Sequence, residues 1–242
     1  MLNFRLFGIP IGVHATFLFI ALLGAASYRG WDIAIWTVAA FVSILLHELG
    51  HALVATRFGA KGVNVYLYGL GGLTSYSHGR AISHGQSFLI SAAGSTVGIV
   101  LGGVMWIARD LGSFEGIGSG AAVFIDSFIF TALIWGVLNW IPIVPLDGGH
   151  MVEQLAAMFN EDKAPLIGQV VTWAAVAIVV PYAWVNGYRF AVFIVLMFAF
   201  NGLREYRATM ARRKARPRSP QDPRPAPPAD PTPPQPPPEF PI

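Results

Sequence analysis

The segment Trp31-Asp32-Ile33-Ala34-Ile35-Trp36-Thr37-Val38-Ala39-Ala40-Phe41-Val42-Ser43-Ile44-Leu45-Leu46-His47-Glu48-Leu49-Gly50-His51 joins an apolar run suited to lipid to two histidines and a glutamate. On a helix His47 and His51 stand four positions apart, so both imidazoles leave one face and can share a metal ion. Glu48 is one step round, within reach of a water held by that ion. Ionisable groups are costly at membrane depth, where by default they mark function. HExxH alone arises by chance in many soluble chains; its weight here comes from the apolar segment that carries it. A buried hydrogen-bonded cluster without metal is the competing reading of these three residues.

Working outward, the composition agrees with a membrane setting. Of 242 residues, 54% are hydrophobic and 12% charged, and the mean hydropathy is +0.55, whereas soluble domains carry about 25% charged residues. Cysteine is absent, which excludes disulfides, thiolate ligands and a cysteine nucleophile. Any metal must be held by His, Asp or Glu. Apolar segments near 11–28, 33–57, 85–108, 120–140, 165–184 and 187–204 reach or approach the ~20 residues of a span. The expected fold is an all-α polytopic membrane protein of about six transmembrane helices. A small membrane-associated β-hairpin is expected between helices 2 and 3, where Val63 to Tyr68 alternates in the strand manner before Gly71 and Gly72. Pro181 is expected to kink or finish the fifth span.

Positive charge orients these spans. With the N-terminus in the cytoplasm, Arg5, Arg57, Lys61, Arg80, Lys163 and the eight basic residues from Arg204 to Arg224 lie inside, and Arg29, Arg109 and Arg189 lie outside. Both termini are therefore expected in the cytoplasm, probed by a reporter fused after Arg109, and the multi-pass chain in the cell membrane. Residues 1–208 read as the transmembrane domain. Residues 209–242 read as a basic, then proline-rich, disordered cytoplasmic tail, with 13 prolines between Pro217 and Pro241. Its basic part would lie against anionic headgroups. Nothing suggests nucleic acid as a partner.

Two histidines leave a catalytic metal site one ligand short. The run Asn139-Trp140-Ile141-Pro142-Ile143-Val144-Pro145-Leu146-Asp147-Gly148-Gly149-His150 is the best source of a third, because Asp147 is the only carboxylate between Asp126 and Glu153. Its prolines break the helix, and irregular backbone at membrane depth is tolerated where it lines a cavity or is buried in protein. Capping of a helix that starts near His150 is the competing role for Asp147.

HELGH on one apolar helix, followed by Asn-x-x-Pro-x-x-Pro-Leu-Asp-Gly-Gly on a later one, resembles the site-2 protease family of intramembrane zinc metalloproteases. The likeness runs from about residue 8 to 204, in a compact form with too few further residues for a CBS or PDZ module. It implies that His47, His51 and Asp147 hold one Zn2+ and that Glu48 is the catalytic acid/base. Asn139 and Pro142 match positions that touch the substrate or shape its path. Gly8 to His14 is similar to the family's lead-in to the first span, which makes His14 a further candidate near the metal. Tyr68-Gly69-Leu70-Gly71-Gly72-Leu73 is similar to its glycine-pair loop, implying substrate contact at Gly71 and Gly72. One stretch departs from the pattern: many members carry Gly-Pro-x-x-Asn in the third span, where this chain has Ala93-Gly94-Ser95-Thr96-Val97-Gly98. The partner implied is a transmembrane protein substrate, such as an anti-sigma factor or a membrane-tethered regulator, cut within or near the bilayer.

Other residues have plainer expected roles. Asp126 could pair with a histidine or a substrate group, or only line the outer mouth; His78, His84 and His150 read as solvated loop residues. His14 could equally be a structural hydrogen-bond donor. Trp31, Trp36, Trp106, Trp140 and Trp184 suit an interfacial belt, and Gly98, Gly102 and Gly103 suit close helix packing. Two other functions fit part of the pattern. A divalent-metal transporter could use the same ligands, and an inactive homologue could bind membrane segments without cutting them. Glu48 beside the histidines is the hydrolytic arrangement and speaks against both.

Overall fold

The computed structural model describes residues 1–69, 71–77 and 82–215. The chain begins with a strand pair, β1 (Leu2–Leu6) antiparallel to β2 (Ile9–Val13). Phe7 and Gly8 both take positive φ at the two-residue turn, the geometry that tight hairpins favour. β2 lies parallel to β3 (Lys61–Tyr68), and β3 returns antiparallel as β4 (Gly71–Ser77), giving the sheet order β1-β2-β3-β4. The molecule is thus mostly helical rather than all-α, and its sheet has four strands where two were expected. Ile9, Ile11 and Val13 alternate with Pro10 and Gly12, a period-two pattern that a hydropathy window averages into an apolar run.

The same pattern corrects the first expected span. After β2 comes a 3-10 turn (Ala15–Phe19) and the short helix α1 (Ile20–Gly24), together too short to cross ~30 Å of hydrocarbon as one continuous helix. Among the described residues four helices are long and apolar enough to do so: α2 (Trp31–Arg57), α3 (His84–Asp110), α4 (Ser119–Asn139) and α6 (Ala164–Val185). The short α5 (Asp147–Ala157) separates the last two, and α7 (Arg189–Ala215) follows α6. Pro181 lies inside α6, which continues past it to Val185. α7 also runs on beyond residue 208, the expected end of the helical domain. Residues 216–242, with the proline-rich stretch, lie outside the described residues, as do His78 and Arg80.

The sheet packs on α2. Ile9, Ile11, Val63, Val65 and Leu67 turn inward onto Ile44, Leu45, Leu49 and Ala52. Trp36 belongs to this core rather than to an interfacial belt: it is buried, with its ring against Gly24, whereas Trp31, Trp106, Trp140 and Trp184 are exposed. α2, α3 and α4 pack mutually. Close approach is possible because Gly50 meets the backbone of Ala93 and Gly94, Gly98 meets the Ala132 carbonyl, and Gly136 meets the Ser95 carbonyl. The segment between α4 and α5 is clamped by α6 and α7. Ile143 is buried with Val176 and Ala199, the Val144 N–H donates to Thr172 Oγ1 at 3.1 Å, and Gly202 lies against the Val144 carbonyl.

Candidate metal centre

His47, Glu48 and His51 lie on the C-terminal half of α2, all buried where the sheet and α3 cover the helix. Asp147 reaches them from the first turn of α5. Leu146, in extended backbone, holds the N-cap position, so Asp147 does not cap the helix. Gly148 and Gly149 follow because a Cβ at either would run into the backbone of Trp140 to Val144. That tight fold-back of chain is what carries the carboxylate to the histidines.

Three ligand atoms converge. His47 Nε2 and His51 Nε2 are 3.2 Å apart, and each is 3.3 Å from Asp147 Oδ2. Zinc–ligand lengths of about 2.0–2.2 Å at a tetrahedral angle separate neighbouring donors by roughly 3.3–3.5 Å. The spacing therefore suits one small cation bound by a His-His-Asp set. The tautomer agrees. His51 Nδ1 lies 2.7 Å from the Ile90 carbonyl, which can only accept, so Nδ1 carries the proton and the Nε2 lone pair faces the cluster. His47, His51 and Asp147 are the one such group among the described residues.

Further residues brace these groups, and sequence reading missed them. Ser95 Oγ donates to Asp147 Oδ2 at 2.7 Å; it lies in the α3 stretch that departs from the family pattern, which was the only hint of it. Thr74 Oγ1 on β4 lies 2.7 Å from Glu48 Oε2 and 3.0 Å from the Glu48 carbonyl. Gly94 leaves room for the His51 ring, and Gly72 is pressed against the Glu48 side chain. Nothing marked Thr74 in the sequence, and Gly94 stood out only as part of the same α3 stretch as Ser95.

The remaining candidates are placed as follows. Gly71, beside Gly72 on β4, faces open space. Asn139 ends α4 and bonds its own helix through Trp135 O at 2.9 Å, and Pro142 is half-buried in the clamped segment. His14 is exposed and caps the 3-10 turn by accepting from the Thr16 N–H at 3.2 Å, and it does not join the converging ligand atoms. Asp126 pairs with Arg109 at 3.1 Å, not with a histidine. His84 and His150 are not loop residues. His84 opens α3 and bonds Gln154 at 3.0 Å, and His150 on α5 pairs with Glu153 at 3.5 Å. Burial disfavours the charged His150 ring, but hydrogen bonding to Glu153 and the charges of Glu153, Glu205 and Asp147 hold its pKa above the ordinary value.

Comparison with known proteins finds relatives that carry zinc-metalloprotease names. It is 31% identical over 155 residues to zinc metalloprotease MJ0392 of Methanocaldococcus jannaschii, covering 63% of this chain and 44% of that protein. It is 30% identical over 194 residues to sll0528 of Synechocystis sp., covering 72% of this chain and 50% of that protein. A third match is Rip3 of Mycobacterium tuberculosis, 31% identical over 118 residues, 48% of this chain and 29% of that protein. Both of the latter carry zinc-metalloprotease names. The chain thus spans about half or less of the length of the curated relatives it matches. No family model matches. Among solved structures, a site-2 protease from Methanocaldococcus jannaschii shares the fold with a TM-score of 0.62 at 24% identity, over 85% of this chain and 94% of that one.

Proposed function

We propose that this chain is a member of the site-2 protease family, an intramembrane zinc endopeptidase that cuts membrane-anchored proteins within or near the bilayer. The observation that carries the reading is the 3.2–3.3 Å convergence of His47, His51 and Asp147 from two distant elements. In it these three residues hold the ion. When bound, Zn2+ supplies an acidified water and polarises the scissile carbonyl. Glu48, buried next to the ligands and fixed through Oε2 by Thr74, would take a proton from the attacking water and pass it to the leaving amine.

A helical substrate hides its carbonyls in hydrogen bonds, so it must be presented unwound. β4 is an edge of the sheet and carries Gly71, Gly72 and Thr74 past Glu48, which supports pairing of an extended substrate with that edge. Asn139 and Pro142, on the segment leading to Asp147, would line its path. The chain would cross the membrane six times, the first time over the whole length between Val13 and Trp31, not as one continuous helix, and the last through the apolar part of α7. Both termini would be cytoplasmic, in the cell membrane, and 209–242 would extend from the last crossing. The substrate class is a transmembrane protein such as an anti-sigma factor or tethered regulator.

The test compares membrane proteomes of cells carrying the wild type and Glu48→Gln. Membrane-protein fragments that accumulate only in the variant support the reading and identify the substrate. Identical proteomes, with the wild type purified zinc-free, overturn it.

A further inference from the structure

Each polar group of the proposed site has an outer hydrogen-bond partner, with one exception. His51 Nδ1 donates to the Ile90 carbonyl, Asp147 Oδ2 accepts from Ser95, and Glu48 Oε2 accepts from Thr74, all at 2.7 Å. His47 Nδ1 is buried with no partner. A histidine that offers its Nε2 lone pair to a metal carries its proton on Nδ1, and that N–H then needs an acceptor. Left bare in the interior, it costs as much as a lost hydrogen bond.

One turn back on the same face of α2 is Ser43. It is 2% exposed, and its Oγ is likewise buried without a partner. Side chains on a helix lean toward its N-terminus, so the His47 ring lies over the turn that holds Ser43. Hydroxyls in apolar helices commonly satisfy themselves by bonding the carbonyl four residues back. Thr37 and Thr56, on this same helix, do so to Ile33 at 2.7 Å and to Ala52 at 2.8 Å. Ser43 does not. A buried donor and a buried acceptor thus sit unspent one turn apart, behind a ring whose other nitrogen faces the Asp147 carboxylate at 3.3 Å.

We propose that the Ser43 hydroxyl accepts the hydrogen bond from His47 Nδ1–H, by rotation about its own Cα–Cβ bond or through one buried water, and is thereby a positioning residue for the metal site. The pair fixes the His47 tautomer and aims Nε2 at the ion, as the Ile90 carbonyl does for His51. The proposal rests on the zinc reading above and extends it to a residue outside both sequence motifs.

The experiment measures Zn2+ affinity of the full chain in detergent by competition with a chromogenic chelator, together with thermal unfolding of the metal-free protein. Ser43→Ala is expected to weaken zinc binding about 10-fold or more, the usual effect of removing an outer partner. The metal-free melting temperature should not fall, because it is zinc on Nε2 that fixes the His47 proton on Nδ1 and so calls for the acceptor. Ser43→Thr, which keeps the hydroxyl, should recover affinity to within about threefold of wild type by the same reasoning. Wild-type affinity in Ser43→Ala overturns the proposal while leaving the zinc reading intact. So does equal weakening in both variants, or an early metal-free melt in Ser43→Ala, since each assigns the serine a packing role. A wild-type chain that takes up no zinc refutes the zinc reading itself, and the proposal with it.

Discussion

Gly72 offers the sharpest test of how Glu48 is held. A Cβ at this position would stand 2.5 Å from Glu48 Cγ, 2.6 Å from Oε1 and 2.7 Å from Cδ. Atoms of this kind rest about 3.5–4.0 Å apart, so alanine overlaps three atoms of one side chain by about 1 Å. Gly72 is paired with Leu67 in the β3–β4 ladder, which resists retreat of the strand. The relief therefore comes mainly from Glu48, whose Oε2 must leave Thr74. Misplacing a catalytic group by about 1 Å costs on the order of 100-fold in rate, equivalent to about 2.7 kcal/mol of barrier. Gly71, the next residue on the same strand, has nothing within 4 Å of the equivalent Cβ. Gly71→Ala therefore leaves Glu48 undisturbed, so any loss of rate it shows reports substrate pairing at the β4 edge and not a displaced acid/base. The assay is single-turnover cleavage of a tagged transmembrane model substrate by the purified chain in detergent, with bound zinc measured on the same samples. Gly72→Ala should retain its zinc and lose about two orders of magnitude in rate. Cleavage at the wild-type rate would refute the reasoning. So would zinc loss in step with activity, because the strand would then be supporting the ligands and not the acid/base.

The remaining perturbations separate chemistry from metal binding and from scaffold. Glu48→Gln should keep zinc and fold but lower turnover by about 10²–10⁴-fold, the range for losing a general acid/base; zinc analysis beside the cleavage assay checks it. Ser95→Ala removes the donor to Asp147 Oδ2 and should weaken zinc affinity by about 10–100-fold, read by chelator competition. Arg109→Ala breaks an ion pair with Asp126 in which both side chains are about half exposed. It should therefore change unfolding free energy by less than about 1 kcal/mol in a detergent denaturation series.

What the sequence disclosed and what it hid divide along a physical line. The meeting of His47, His51 and Asp147 was legible because a metal accepts few ligand types, helical spacing puts the two histidines on one face, and Asp147 is the only carboxylate in the stretch that returns to them. The interior of α2 and the course of α3, α4 and α6 were legible because spanning lipid demands some twenty apolar residues in a row. β1 and β2 were not. β2 gains its second neighbour, β3, only through a long-range contact, with Ile11 beside Val65, and its short alternation vanished inside an apolar window. Trp36 looked interfacial by position along the helix, yet its burial depends on Gly24 arriving from another element. The braces around the metal ligands were hidden for a deeper reason. Any hydroxyl or carbonyl can serve as a hydrogen-bond partner, so Thr74 and Ser95 carry no signature, and at Ile90 the partner is backbone with no side chain involved at all. Such residues are free to vary in type as long as an acceptor or donor occupies the right point in space. This is how a serine in α3 can serve Asp147 where the family this chain resembles carries a different motif, and why the unspent hydroxyl of Ser43 is set apart by its burial without a partner and not by its residue type.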